Sequence, residues 1–495
     1  MSRSNAMSTR TIADIGPAEL PTHAARLLAD GHRLALVSAR QGADGFGLAY
    51  LFVAGSPDRR TELRLRLPSE RPAVPSLAHL SFPAGRFERE IRDLYGITPL
   101  DHPLPRRLVR HHHWPRGWYP MRTDAGPPPS FGDPEGPYPF VTVEGQGVYE
   151  IPVGPVHAGL IEPGHFRFSV VGETIIKLKA RLWFVHKGIE KLFEGRHPAD
   201  GLELAERVSG DTSVGHALAY CLAVEEATAT PVSAQAQRDR AMLLELERLY
   251  NHVTDLGALC NDVAFGILHA HTGRIREQLL RINAEVTGHR LLRGGVRLGG
   301  VQLKASPDPD RLRAIGTDVA ELAELALRHT VVADRFTGTA VLSGDAAGDL
   351  GTLGYVARAS GLDLDARRDH PFTDLGEFTP ARRTSGDVLA RFQIRAEEIA
   401  TSIALITHLA DSPAAPADSP QAEGSSSGVG LVEGWRGTIA HRVELAPDGT
   451  LTRVKVVDPS FFNWPALPVA LDSAIVPDFP LVNKSFNLSY AGNDL

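Results

Sequence analysis

The stretch LLELERLYNHVTDLGALC, residues 243–260, decides the fold class of this 495-residue chain. Its apolar residues Leu243, Leu246 and Tyr250 recur at intervals of three and four, the spacing that places side chains on one face of an α-helix. The same pattern extends over residues 233–288. A segment of that length predicts two long helices packed in a bundle, so we expect a mainly helical domain here.

Upstream of the helical segment, the pattern changes to that of a small α+β module. Residues 33–67 contain short runs of alternating apolar and polar residues separated by Gly, Asp and Pro, which is typical of β-strands. Residues 84–96 have helical spacing and end on Gly96, a favoured residue for closing a helix. We assign this module to residues 11–125 and a linker rich in Pro and Gly to residues 126–148.

The second domain is assigned to residues 149–495. Within it, residues 411–430 are of low complexity and predict a mobile loop. The pair Asp448 and Gly449 lies between two alternating runs, which predicts a β-hairpin followed by an irregular tail. The predicted fold class is an α+β amino-terminal module followed by a mainly α-helical bundle domain with peripheral β-hairpins.

Composition narrows the function classes. Lys and Arg total 52 against 59 Asp and Glu, and the net charge of -7 argues against nucleic acid as a partner. The cysteines Cys221 and Cys260 lie in apolar helical patterns, so we interpret them as core thiols of a protein in a reducing compartment. We see no apolar run long enough for a transmembrane helix and no signal peptide, and expect a cytoplasmic protein.

Several stretches, in one order along the chain, resemble a known family. FEREIRDLYG (87–96) is similar to the C-type subunit of the NADH-quinone oxidoreductases, respiratory complex I. IPVGPVHAGLIEPGHFRF (151–168), RLWFVHKGIEKLFEGR (181–196) and TGHRLLRGGVRLGGV (287–301) resemble the D-type subunit of that complex and, equally, the large subunit of membrane-associated NiFe hydrogenases such as formate hydrogenlyase. The resemblance implies a fused, C-plus-D-type large subunit with a hydrogenase-large-subunit-like fold.

The acidic residues Glu88, Glu90 and Asp93 of the predicted helix 84–96 have two interpretations. In the C-type subunits this acidic helix and the basic tail that follows it dock neighbouring subunits, which is what the resemblance implies. We interpret the three residues as a solvated, charged helix face and keep docking as the alternative.

The NiFe hydrogenases hold their metals with four thiolates, and this chain departs from that pattern. The resemblance aligns the ligand positions with Ser209, Thr212, Ser460 and Asn463. Neutral hydroxyl and amide groups are hard, weak donors compared with thiolates. We therefore expect that this chain binds no nickel and no other cofactor of its own.

The quinone chemistry of the D-type subunit is also altered. In that family a His of the first hairpin and a Tyr after the first helical pair bind the quinone headgroup; here the hairpin keeps His157, but the Tyr position aligns with Gly210. We expect an open polar cavity at these positions. Asp369 and His370 match a loop that lines the same cavity in the family.

Three further residues are predicted to form a proton relay in this cavity. The resemblance gives Glu162 a proton-transfer role, His165 shares its hairpin tip, and His216 follows Thr212 at helical spacing. Structural alternatives remain open: Glu162 caps a turn, and His216 is a hydrogen-bonded core histidine.

The resemblance implies the large subunit of a membrane-associated multisubunit oxidoreductase that lies peripheral to the inner membrane. An iron–sulfur small subunit, which would carry the cluster, and antiporter-like membrane subunits are the implied partners. The cavity then forms a quinone-site-like space or a proton relay beside the partner's cluster. The alternatives are a redox-silent scaffold and a working NiFe hydrogenase with unusual ligands.

Overall fold

The computed structural model describes residues 10–132, 138–411 and 425–495. The amino-terminal module begins the described chain and contains both strands and helices. Its elements, in chain order, are β1 (Thr11–Asp14), α1 (Leu20–Ala29), β2 (Arg33–Gly42), β3 (Gly45–Ala54), β4 (Arg59–Leu67), β5 (Ala73–Pro75), α2 (Phe82–Tyr95) and β6 (Thr98–Leu100).

One sheet organises this module. Its strand order is β1–β4–β3–β2, with β1 parallel to β4 and the other neighbours antiparallel, and α2 packs against β2. The strands predicted in residues 33–67 are confirmed. The predicted helix is also confirmed, and it ends where Gly96 adopts a φ of 78°, a left-handed conformation that glycine allows without strain.

The acidic residues of α2 are buried, so their interpretation as a solvated face is wrong. Glu88 accepts hydrogen bonds from Ser76 Oγ and Leu77 N, both at 2.6 Å. Glu90 pairs with Lys455 at 2.7 Å. The carboxylates are buried because groups from other parts of the chain satisfy them, which compensates their loss of water.

The second domain begins with a small antiparallel sheet and continues with helices. Its first elements are β7 (Val148–Val153), β8 (His165–Val171), β9 (Thr174–Arg181), α3 (Ile189–Phe193), α4 (Pro198–Ala205), α5 (Ser213–Thr228), α6 (Ala234–Asp262), α7 (Gly266–Thr287), β10 (Val296–Arg297) and β11 (Gly300–Val301). The remaining elements are α8 (Pro309–Arg328), α9 (Thr330–Phe336), α10 (Gly344–Leu350), α11 (Gly354–Ala359), α12 (Ala366–Asp369), α13 (Val388–Asp411), β12 (Ser427–Gly434), β13 (Gly437–Leu445), β14 (Leu451–Val457), α14 (Pro459–Asn463), α15 (Ala466–Ala470), α16 (Phe479–Phe486) and α17 (Tyr490–Asp494).

Helices α6 and α7 form the bundle predicted from residues 233–288, and α13 packs against α6. Ser233 caps the start of α6 by accepting a hydrogen bond from Ala236 N. Helix α5 is buried on nearly all its faces, because it lies between the bundle and the sheet β12–β13–β14. Both predicted core thiols, Cys221 and Cys260, are buried.

The carboxyl-terminal region differs from its prediction. The hairpin at Asp448 and Gly449 is present as β13 and β14, but the predicted irregular tail folds into α14–α17. Most of the predicted loop 411–430 lies outside the described residues, and its last four residues belong to β12. Among the helices of the described residues, none is long and apolar enough to cross a membrane.

Candidate functional site

The positions that the resemblance aligned with the thiolate ligands of the hydrogenases come from distant segments and lie close together in the fold. Ser209 lies in the turn before α5, whereas Ser460 lies in α14. Ser489, which caps α17, joins them: its hydroxyl lies 2.8 Å from the Ser209 hydroxyl, and its backbone N–H donates to Ser460 Oγ at 2.9 Å. Three elements therefore converge on one point.

The other two aligned positions, Thr212 and Asn463, are also buried and hydrogen-bonded. The Thr212 hydroxyl donates to Asp211 Oδ1 at 2.9 Å and accepts from Trp435 Nε1 at 3.1 Å. The Asn463 side chain accepts from the backbone N–H of Leu353 at 2.8 Å and donates to its carbonyl at 3.1 Å. Thr212 therefore connects the start of α5 to the β12–β13 turn, and Asn463 connects α14 to the residue before α11.

This donor set does not fit a nickel–iron centre. Such a centre needs anionic thiolates, whereas these four positions offer neutral hydroxyls and an amide whose hydrogen-bonding groups already have protein partners. The two cysteines lie in the core of α5 and α6, and burial raises the pKa of the Cys260 thiol to about 12. In the part of the chain that the structure describes, no cluster of His, Cys, Asp and Glu could hold a metal ion.

An arginine from the β12–β13 turn lies among these positions instead. The Arg436 guanidinium forms two hydrogen bonds of 2.7 Å with the Asp211 carboxylate and contacts Thr212 Oγ1 at 3.3 Å. Its Nε donates to the carbonyl of Asn487 at 2.6 Å, and the guanidinium stacks on the Trp435 ring. The bidentate geometry fixes both partners.

The charges of this pair stabilise each other. Burial alone would raise the pKa of Asp211, but Arg436 and the neighbouring hydroxyls hold it at about 2. Burial likewise opposes the charge of Arg436, and Asp211 more than compensates, so its pKa lies above the ordinary arginine value. Both groups remain ionised across the physiological pH range.

A cavity of about 570 Å³ opens beside the ion pair, between the β7–β8 loop and the α16–α17 region. Its volume falls within the range of small-molecule sites. Its polar lining includes His157, Glu162, Ser209, Gly210, Arg436 and Tyr490. The structure therefore brings together four of the predicted site residues around one space: His157, Glu162, Ser209 and Gly210.

His157 and Tyr490 form a polar pair within this cavity. His157 Nε2 lies 3.1 Å from the Tyr490 hydroxyl. Burial raises the pKa of Tyr490 above its ordinary value, so its phenol stays protonated and can donate a hydrogen bond. Burial lowers the pKa of His157, which favours the neutral imidazole.

Glu162 lies at the opening of the cavity and is exposed to solvent. Its carboxylate accepts a hydrogen bond of 2.9 Å from the backbone N–H of Ala491, in the first turn of α17. The position combines access to bulk water with contact to the element that carries Tyr490.

His216 does not join Glu162 in the cavity. It is fully buried, with Nδ1 3.0 Å from His441 Nε2 and Nε2 3.0 Å from Asp458 Oδ2. Asp458 in turn accepts from the Ser460 backbone N–H at 2.7 Å. Burial lowers the pKa of His441 far below the ordinary histidine value. His216 is thus one of the hydrogen-bonded core histidines that the sequence left as an alternative.

The remaining predicted residues also lie elsewhere. His165 begins β8, where its Nδ1 lies 3.1 Å from the Gly154 carbonyl and its ring packs against Phe140. Asp369 and His370 face the amino-terminal module, with His370 Nδ1 2.7 Å from Asp58 Oδ1. The prediction that they line the cavity is corrected, because the β3–β4 turn packs over α12.

Sequence reasoning missed several residues of the site. Asp211 lies between Ser209 and Thr212, and an acidic residue in that turn was the one available signal. Arg436 and Tyr490 carried no local signal, because they reach the site only through the packing of the β12–β13 turn and α17.

Family models match three parts of the chain. Residues 264–423 match the 49 Kd subunit of respiratory-chain NADH dehydrogenase, residues 14–129 match its 30 Kd subunit, and residues 187–261 match nickel-dependent hydrogenase. The matches follow one another along the chain in the order 30 Kd, hydrogenase, 49 Kd.

Individual proteins are similar over most of their length. Formate hydrogenlyase subunit 5 of Escherichia coli (strain K12) is 32% identical over 87% of this chain and 79% of its own. Hydrogenase-4 component G of the same organism is 33% identical over 86% and 75%. The C/D subunit of NADH-quinone oxidoreductase from Phocaeicola vulgatus is 30% identical over 75% and 76%.

A solved structure has the same fold. It belongs to the membrane-bound sulfane sulfur reductase, an archaeal respiratory membrane complex, and superposes with a TM-score of 0.63 at 22% identity. The match covers 71% of this chain and 99% of that chain. The predicted fold class is thereby confirmed.

Proposed function

This chain belongs to the family of the respiratory NADH dehydrogenase 30 Kd and 49 Kd subunits and the nickel-dependent hydrogenases, and from this premise we propose its function. It is the large subunit of a membrane-associated multisubunit oxidoreductase. An iron–sulfur small subunit and antiporter-like membrane subunits are its proposed partners, and they hold it peripheral to the inner membrane on the cytoplasmic side. The names of the relatives, which are subunits of hydrogenase and quinone oxidoreductase assemblies, support this assignment.

The cavity beside Arg436 is the proposed site of action. It takes a carbonyl-bearing electron acceptor of the quinone class, and no metal of this chain takes part. The observation that carries the proposal is the pair His157 and Tyr490, in which the imidazole Nε2 and the phenol oxygen lie 3.1 Å apart and share one hydrogen bond in a cavity of suitable volume. The resemblance aligned the family's quinone-binding tyrosine with Gly210, which has no side chain. Tyr490 lines the same cavity and supplies a phenol from another element.

The roles of the side chains follow from their charges. A carbonyl oxygen gains negative charge as an acceptor is reduced, and donors already in place stabilise that charge. The Tyr490 phenol donates to the oxygen while it accepts from the N–H of His157 Nε2, and the positive charge of Arg436 lies at the same cavity wall. Two-electron reduction also consumes two protons; Glu162, exposed at the opening, exchanges them with water. The partner's iron–sulfur cluster supplies the electrons.

The proposal is tested in the intact complex purified from its native membrane. Tyr490→Phe removes the phenol O–H and His157→Leu removes the imidazole beside it, and we expect the rate of quinone reduction to fall about tenfold or more in each while the complex keeps all its subunits. Tyr149→Phe is the matched control, since that phenol lies on the exposed strand β7 and donates to Gly172. Wild-type rates in both cavity variants would contradict an acceptor site and favour a redox-silent scaffold.

The nickel content of the complex distinguishes the proposed acceptor site from a working NiFe hydrogenase. Elemental analysis of the same complex is expected to find far less than one nickel atom per chain, because the aligned ligand positions are neutral and hydrogen-bonded. Stoichiometric nickel would overturn this part of the proposal.

A further inference from the structure

A second cavity, of about 650 Å³, opens between α2 and the loop that follows β6. It shares no lining residue with the cavity at Arg436. Its distinctive feature is a concentration of guanidinium groups. We call it the arginine cavity and define it by four of its lining residues, Arg92, Arg106, Arg107 and Arg110.

These arginines already contact backbone carbonyls of the surrounding loop. Arg107 Nη1 donates to the carbonyls of His111 at 2.8 Å and Trp114 at 3.0 Å. Arg110 Nη1 donates to the carbonyl of Trp118 at 2.5 Å. A guanidinium has five N–H donors, so these bonds leave donor capacity unused. Neutral carbonyls do not neutralise the positive charge, and among the described residues the Asp93 carboxylate offsets only part of the effect of burial on the pKa of Arg110.

Among the described residues, Asp93 is the acidic side chain that lines the cavity. In the part of the chain that the structure describes, none of the four arginines forms an ion pair with a carboxylate. Asp93 lines the cavity, but its Oδ2 accepts the backbone N–H groups of residues 108–110 at 2.8, 2.9 and 3.2 Å. Arg116 and His112 also line the cavity, and each has an interaction of its own.

The positive charge is local, because the whole chain carries a net charge of -7. Four guanidiniums around one cavity create a field that attracts anions. Burial lowers the pKa of Arg110, and a bound anion would stabilise its charged form. The Nε of Arg110 is buried without a partner in the described structure. These features indicate a site for an anion.

Shape and lining indicate the class of anion. The volume exceeds the space that a single phosphate needs and falls in the range of small-molecule sites. Trp114, Tyr119 and Tyr138 form aromatic walls, and the Arg110 guanidinium lies 5.0 Å from the centre of the Tyr119 ring. Planar guanidiniums bind phosphoryl oxygens in a bidentate manner, and several of them suit several phosphoryl groups.

We propose that the arginine cavity binds a small molecule that carries two or more phosphoryl groups. The site is separate from the acceptor cavity and independent of the function proposed for it. Arg106 is the best residue to test, because it is exposed and its side chain forms one long hydrogen bond, of 3.4 Å, to the Pro139 carbonyl. Its replacement therefore removes charge with little damage to the loop.

The test is calorimetric titration of the full chain with inorganic pyrophosphate at low salt. We expect saturable binding of one pyrophosphate per chain, at least tenfold weaker in Arg106→Gln and weakened by added salt. Arg313→Gln is the matched control: it makes the same change of net charge on the exposed face of α8 and should bind within twofold of wild type. Unaltered circular dichroism checks the fold.

Three outcomes would overturn the proposal. They are the absence of saturable binding, an Arg106→Gln affinity equal to that of wild type, and citrate binding as tightly as pyrophosphate. The last result would show a site for anions in general, without selectivity for phosphoryl groups. Arg106→Lys adds a finer test, because it keeps the charge and loses the bidentate geometry; an affinity between those of wild type and Arg106→Gln supports phosphoryl recognition by the planar group.

Discussion

The carboxyl group of Glu247 is fully buried and, among the described residues, forms no ion pair. Its two oxygens accept the backbone N–H groups of Val214 at 2.7 Å and Gly215 at 2.9 Å. These N–H groups belong to the first turn of α5 and would otherwise lack partners. Burial raises the pKa of Glu247 to about 8, and the two hydrogen bonds offset only part of the effect. The carboxyl group therefore keeps its proton at neutral pH.

The raised pKa of Glu247 predicts a pH-dependent stability. Between about pH 4.5 and 8 the unfolded chain releases this proton while the folded chain retains it, so the wild-type protein loses stability as pH rises through that window. Glu247→Gln does not titrate. Its free energy of unfolding relative to wild type should increase by on the order of 3 kcal/mol from pH 5 to 7.5. Urea denaturation at pH 5 and pH 7.5 measures the change, and the exposed Glu321→Gln is the control. Parallel pH profiles of stability for Glu247→Gln and wild type would refute the prediction.

The alignment of Ser209, Thr212, Ser460 and Asn463 with the thiolate positions of the hydrogenases is a prediction that the sequence allows, because it needs only a comparison of residue types. The residues that contact one another around the cavity could not be predicted in this way. Arg436 and Asp211 are 225 residues apart, and His157 and Tyr490 are 333 apart. Contacts over such separations depend on how whole elements pack, and no local spacing encodes them. The same reason explains why the sequence did not separate His157, which lines the cavity, from His216 and His370, which face other partners.

At the scale of elements, the sequence predicted the helix boundaries that depend on residues close by in the chain. The ends of α6 and α2 follow from a serine cap at Ser233 and a left-handed glycine at Gly96. The short helices α14–α17 were missed, because helices of five to eight residues show no sustained period. They form through burial against the rest of the domain, as the buried residues of α14 illustrate.

The contact between α5 and β12 depends on two glycines of the strand. A Cβ on Gly430 would lie 1.9 Å from the Ala219 carbonyl oxygen, and one on Gly428 would lie 2.0 Å from that of Ala223. Both distances are far below van der Waals contact, and the obstacle is helix backbone that cannot move alone. Glycine at these positions lets the helix approach the sheet.

Gly430→Ala should therefore force α5 away from β12. We expect a loss of about 3 kcal/mol or more in the free energy of unfolding, as overpacking in a close-packed core produces. The measurement is urea denaturation followed by tryptophan fluorescence. Gly348→Ala is the control, because a Cβ there meets no atom within 4 Å and lies in α10, where alanine is favoured. Equal stability of the two variants would show that the helix and the strand are not held at this distance.

At the scale of the whole molecule, buried ion pairs join the amino-terminal module to the carboxyl-terminal sheet. Glu62 on β4 accepts hydrogen bonds from Arg442 on β13 at 2.9 and 3.1 Å. Glu90 on α2 pairs with Lys455 on β14 at 2.7 Å. Each module thus contributes charges that the other neutralises, and separation would leave buried charges without partners. The sheet β12–β13–β14 is buried because α5 and the amino-terminal module both pack against it, although its sequence predicted only a hairpin.

Glu62→Gln tests this coupling. The variant removes the carboxylate that Arg442 and Arg10 share, and leaves them Glu444 and Glu226 as their remaining partners. We expect a loss of about 3 kcal/mol at pH 7, the low end for broken buried pairs. Burial alone would raise the pKa of Glu62, but Arg442 and its neighbours hold it at about 2. The stabilisation is therefore complete above about pH 4.5 and lost as pH falls towards 2, so the variant and wild type should converge in acid.

Denaturation of wild type should show one transition, because the modules share these charges. The exposed Glu70→Gln should match wild type throughout, and a Glu62→Gln variant with unchanged stability would mean that the modules are joined by apolar packing alone.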